Sequence, residues 1–226
     1  MVADPTRKQT PWRLLAWLVF VLVLAVLGYA AQLASDDTPD DIAYRYSSAV
    51  AAVIQYGVML GILLLIARGL PLRDTFALRR PASWGRALGL TAGALGVIWL
   101  ASAALAPFLN ANEEQGLVPD EWDSSRAGAF AAFFVAVTFV APVVEELTYR
   151  GLGFTLLSPY GTWLAIVTTG VLFGAAHGLL VALPVLAVFG IVVGWLRAGT
   201  DSVYPSMLLH ATFNGTALVV SVAVLG

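Results

Sequence analysis

Three groups of polar side chains interrupt an otherwise apolar chain of 226 residues, and their types are those of hydrolytic chemistry. The first group reads Pro142-Val143-Val144-Glu145-Glu146-Leu147-Thr148-Tyr149-Arg150. The second is Phe173-Gly174-Ala175-Ala176-His177, and the third is His210-Ala211-Thr212-Phe213-Asn214. On a helix Glu146 and Arg150 stand at i and i+4 with the acid N-terminal, the better orientation for an ion pair. Glu145 is rotated about 100° away from that pair and has no basic neighbour in sequence. A carboxylate without a partner in a low-dielectric site serves well as a general base. His210 and Asn214 share one helix face. Each histidine alone would ordinarily be read as a helix–helix hydrogen bonder. His177 and His210 are, however, the only two in the chain, and both fall in apolar segments beside an unpaired glutamate. Ser206 and Thr212 lie near His210, but no nucleophile motif surrounds them, which argues against a serine or threonine triad.

The elements that must position these residues are membrane helices. Apolar residues make up 59% of the chain and charged residues 12%, where a soluble domain is about half apolar and about a quarter charged. Mean hydropathy is +0.84. Cysteine is absent, which excludes disulfides and thiolate chemistry. The formal net charge of −2 carries no nucleic-acid footprint. Crossing a bilayer takes roughly 20 apolar residues in a helix. Seven such runs are predicted: 14–33, 49–67, 87–109, 127–144, 162–176, 183–196 and 204–225. The first is read as a retained helix rather than a removed signal peptide. The fold class is therefore all-α, a polytopic bundle of about seven transmembrane helices around a buried polar cavity between the fourth, fifth and seventh. Residues 1–126 form an N-terminal scaffold of about three helices, and residues 127–226 a core of about four that holds all three polar groups.

Charge in the loops alternates. Arg7, Lys8 and Arg13 precede the first helix, and Asp36, Asp37, Asp40 and Asp41 follow it. Arg68, Arg73, Arg79, Arg80 and Arg86 follow the second, and Glu113, Glu114, Asp120, Glu121 and Asp123 the third. Cytoplasmic loops collect Lys and Arg, so the N-terminus is expected in the cytoplasm and, after seven crossings, the C-terminus outside. Counting from a turn at 158–161 puts Glu145 and His177 within about 5 Å of the same depth, if the fourth helix continues to about Leu157.

Glu145-Glu146-x-x-x-Arg150, then Phe173-x-x-x-His177, then His210-x-x-x-Asn214, in that order on successive membrane helices, resembles the CAAX-protease and bacteriocin-processing family of intramembrane proteases. The resemblance covers about residues 127–222; Gly151 and the Leu156-Leu157 pair fit it too. It implies proteolysis within the membrane. Glu145 matches the family's general base, assisted by His177 in activating water. His210 and Asn214 match the pair that stabilises the oxyanion, and Glu146 and Arg150 the accessory acid and structural arginine, with Phe173 in a supporting place. This agrees with the needs of peptide hydrolysis, a base for water and donors for the developing oxyanion.

The family is often labelled metalloprotease. Glu145, His177 and His210 would make a three-ligand zinc shell with an open position, yet no His-Glu-x-x-His motif is present. The reading leans to a metal-independent glutamate mechanism, with one divalent metal as the alternative. The expected partners are membrane lipid and a peptide or protein substrate, prenylated, otherwise lipidated, or carrying a leader. An arginine-rich, almost lysine-free composition points to a prokaryotic cell membrane. Two other readings stay open: an ion- or proton-coupled transporter, since intramembrane Glu and His also serve pumps, and a non-catalytic adaptor or immunity protein.

Overall fold

A computed structural model describes residues 11–34, 41–109, 119 and 122–224. The described residues form helices and turns without a strand. Seven long helices run α1 (Pro11–Ala34), α2 (Tyr46–Ile66), α3 (Trp84–Leu105), α4 (Ser124–Tyr160), α5 (Thr162–Ala175), α6 (Leu183–Thr200) and α7 (Tyr204–Val224). Each of the seven predicted apolar runs holds one of these helices, and among the described residues six helices are long and apolar enough to cross a membrane. The exception is α5. Its 14 residues reach about 21 Å at 1.5 Å each, short of a hydrocarbon core of about 30 Å. The expected bundle of about seven helices thus consists of six of membrane-crossing length and one shorter apolar helix. The acidic loop residues Asp36, Asp37, Asp40, Glu113, Glu114, Asp120 and Glu121, and the basic Arg7 and Lys8, lie outside the described residues.

Many large apolar side chains face outward, among them Val26 on α1, Ile54 on α2, Leu100 on α3 and Val220 on α7. On a soluble protein so much exposed hydrocarbon would be a liability; on a membrane bundle it is the lipid-facing surface. Trp17, Leu63, Ile98, Leu152, Phe173, Leu196 and Leu209 form one continuous buried core, drawn from all seven helices except α2's start and α4's first turns. The protein is a polytopic helical membrane bundle.

Helix α4 is the element that carries the glutamates, and it is not a uniform α-helix. Two π-helical stretches, Ala136–Val140 and Leu147–Gly153, bracket the α-helical turn Ala141–Glu146. Such widened turns are uncommon and gather at functional sites. The helix continues through Leu157 into a 3₁₀ turn at Ser158–Tyr160, as the depth argument requires. Helices α5 and α6 then form a hairpin in which backbones touch. A Cβ placed on Gly170 would lie 2.6 Å from the Ile191 nitrogen and 2.8 Å from the Gly190 carbonyl carbon. Small residues at such crossings let membrane helices approach closely.

The two ends of the bundle carry different ion pairs. At one end Arg79 bonds Asp201, both carboxylate and carbonyl, and lies 3.6 Å from Asp74. At the other, Asp41 engages Arg45 and Arg126, and Arg126 also bonds Asp123. Arg197 is 4% exposed within α6; it donates to the Arg150 carbonyl at 3.1 Å and to Asp201 at 3.1 Å.

Candidate active site

The Glu146–Arg150 pair forms as its spacing predicts. Nη1 of Arg150 donates to Oε1 of Glu146 at 3.0 Å, and both side chains are wholly buried. Arg150 also donates through Nη2 to the Gly190 carbonyl at 2.7 Å, and its guanidinium lies 4.8 Å from the centre of the Phe173 ring. The Glu146 oxygen is shared with a third group: Nδ1 of His210 lies 2.9 Å away. A carboxylate only accepts, so Nδ1 of His210 carries the proton and donates it. The other nitrogen, Nε2, then faces Oε2 of Glu145 at 3.6 Å.

Glu145 is the more accessible acid, its side chain 12% exposed where Glu146 is at 0%. It has a partner that the sequence did not announce. The hydroxyl of Tyr56, on α2, donates to its Oε1 at 2.6 Å. Tyr56 sits in a run of apolar residues with no motif around it. The only available signal was a phenol at mid-helix, which needs a partner when taken out of water.

His177 stands differently from expectation. It lies two residues beyond the end of α5, in a turn, because the next residue, Gly178, takes φ +70° and ends the helix there. Its Nδ1 is 2.8 Å from the Phe173 carbonyl and donates to it, which leaves Nε2 with the lone pair. The Phe173 ring joins the two histidines, with its centre 4.8 Å from His177 and 5.5 Å from His210. Phe189 stacks on Phe173 and meets His210 edge-on at 4.9 Å. His210 is thus held by Glu146 on one side and by two aromatic rings on others.

Asn214 is engaged with α4. Its Nδ2 donates to the Val137 carbonyl at 3.0 Å, and the local chain explains why that carbonyl is available. In the first π stretch the Ala141 N–H reaches back to the Ala136 carbonyl. The next residue is Pro142, which has no N–H. Val137 therefore receives neither its α-helical nor its π-helical donor, and Asn214 fills the place. One amide N–H of Asn214 remains for other use. A parallel contact steadies the second π stretch, where the buried Trp17 indole of α1 donates to the Thr148 carbonyl at 2.9 Å.

Glu145, His177 and His210 are the ligands that the metal-dependent alternative would use. Glu145 and His210 meet, but no three His, Asp or Glu side chains among the described residues converge as metal ligands. In place of the expected polar cavity, Glu146, Arg150 and His210 form a buried polar cluster that the partly exposed Glu145 faces, while His177 and Asn214, also partly exposed, bond to backbone carbonyls.

Comparison with known proteins bears on residues 127–216, which hold all three polar groups; they match the family model described as Type II CAAX prenyl endopeptidase Rce1-like. No curated protein and no solved structure matches the chain. Residues 127–216 of this membrane protein are thus similar to the Rce1-like type II CAAX prenyl endopeptidase family.

Proposed function

We propose that the protein is an intramembrane endopeptidase in which Glu145 activates water. The observation that carries this reading is the pairing of unlike acids. Glu146 is neutralised by Arg150 and bonded by His210, while its neighbour Glu145 faces Nε2 of His210 across 3.6 Å and keeps contact with the surface. A water hydrogen-bonded to both atoms, at about 2.8 Å from each, fits that separation.

In the proposed reaction Glu145 takes a proton from this water as its oxygen attacks the carbonyl carbon of the scissile peptide. The carbonyl oxygen becomes an oxyanion. His210, with Nε2 protonated, and the free N–H of Asn214 are the donors that receive it. Glu145 then returns the proton to the amide nitrogen as the C–N bond breaks. His177, its Nδ1 held by the Phe173 carbonyl, keeps the lone pair of Nε2 free in the α5–α6 turn and is the residue proposed to assist Glu145. The substrate class is a membrane-embedded or membrane-anchored peptide, with prenylated C-terminal and leader peptides as the first to try. The division into a scaffold of residues 1–126 and a core of residues 127–226, a cytoplasmic N-terminus and an external C-terminus belong to the same reading.

The test is cleavage of a peptide library, farnesylated C-terminal peptides included, by the purified protein in detergent. Products are read by mass spectrometry with and without a chelator. Cleavage that survives the chelator supports the metal-independent mechanism. Cleavage abolished by the chelator would replace it with a metal-assisted one. A wild-type protein that cleaves nothing in the library while coupling ion flux in vesicles would overturn the protease reading in favour of transport.

A further inference from the structure

Tyr56 lies outside the family-matched segment, on a scaffold helix, yet it reaches the proposed base. It stands ten residues from either end of α2, about 15 Å from each at 1.5 Å per residue, which is mid-bilayer for a helix of this length. Its neighbours Val53, Ile54 and Val58 face outward. A phenol hydroxyl at that depth is costly unless bonded, and Tyr56 donates to Oε1 of Glu145 at 2.6 Å.

The two oxygens of Glu145 therefore have different surroundings. Oε1 is held by Tyr56, and Oε2 faces Nε2 of His210 at 3.6 Å. The geometry points to Tyr56 as a positioning residue for the reaction: it locks the rotation of the Glu145 carboxyl and leaves Oε2 as the oxygen that meets water. This rests on Glu145 being the base. Glu145 is carried by a short α-helical turn between two π stretches. A freely rotating carboxylate would present the correct lone pair only part of the time, and the loss would fall on the chemical step rather than on substrate binding.

The experiment compares wild type, Tyr56→Phe, Tyr56→Leu and Glu145→Gln in detergent, with kcat, KM and thermal unfolding measured for each. Tyr56→Phe keeps the ring and removes only the hydroxyl. The expected result is a fall in kcat of about tenfold or more, the equivalent of one hydrogen bond to a charged group, with KM and Tm close to wild type. Tyr56→Leu should share the kcat loss and lower Tm as well. A Tyr56→Phe protein with wild-type kcat, beside an inactive Glu145→Gln, would overturn the role of Tyr56 alone. A kcat loss matched by an equal loss of Tm would also overturn it, reducing the bond to packing. Full activity in Glu145→Gln would overturn the base and Tyr56 together.

Discussion

Glu146 and Arg150 illustrate how a charge survives in the bilayer. An isolated ion at the centre of a membrane helix costs about 3 kcal/mol on insertion scales and more in simulations. Here the pair neutralises itself, Glu146 also accepts from His210, and Arg150 also donates to the Gly190 carbonyl. Removing one partner leaves the other buried and charged, a loss of about 3–5 kcal/mol. Arg150→Ala should therefore unfold at markedly lower temperature in detergent than Arg150→Lys, which keeps the charge. Equal melting of Arg150→Ala and wild type would mean that the pair contributes nothing. This pair was legible from i, i+4 spacing alone, whereas the contacts of Tyr56 and Trp17 were not. Both lie in apolar runs whose polar atoms have no sequence partner, and their targets lie 89 and 131 residues away.

At the scale of the element, the irregularity of α4 follows from residues that the sequence displays but whose effect it hides. Pro142 was visible; that it would leave the Val137 carbonyl for Asn214 depends on the π turn before it. The consequence is a measurable coupling. Asn214→Ala should destabilise by about 1–3 kcal/mol, the cost of a buried carbonyl left unbonded. In a Pro142→Ala background residue 142 regains an N–H, and the same change should cost distinctly less. Additive effects in that double-mutant cycle would separate Asn214 from the backbone of α4. The α5–α6 hairpin supplies a second case. Gly170→Val would force the helices apart, since a Cβ there would lie 2.6 Å from the Ile191 nitrogen. A loss of about 1–3 kcal/mol is expected from such overpacking, with Arg150's bond to Gly190 disturbed. Unchanged unfolding of Gly170→Val would show that the hairpin yields freely. Helix existence was legible from hydropathy throughout. The end of α5 was legible to within one residue, at 176 against Ala175, but the left-handed Gly178 that follows His177 was not, because it looks in sequence like any small residue of a membrane span.

The whole molecule is a bundle whose ends are tied by ion pairs outside the hydrocarbon. Hydrogen bonds from Ser125, then from Arg126, lower the pKa of Asp123 to about 2, below its ordinary 3.8. The hydrogen bond from Arg45 likewise lowers Asp41, against some desolvation and with help from Arg126. A carboxyl whose folded pKa is depressed contributes stability above its unfolded pKa, and that contribution disappears as pH falls through the folded one. The difference in Tm between wild type and Asp123→Asn should thus be full at neutral pH and close between about pH 4 and pH 2. It should also shrink with added salt, because the cluster is exposed. A difference that persists at pH 2 would assign Asp123 a role other than its charge. The architecture explains why the domain match stops short of the whole site. Residues 127–216 carry the glutamates, histidines and Asn214, while Tyr56 and Trp17 come from helices before it and hold α4 from the outside.

The turnover of a cleaved peptide by Glu145→Gln, at matched Tm, decides whether Glu145 is the base. The substitution keeps size and the hydrogen bond from Tyr56 while removing the basic oxygen. The account predicts a protein that folds as wild type does and has lost at least about a hundredfold in kcat, the usual scale for a general base. Turnover within a few-fold of wild type would contradict it and return the reaction to a different group.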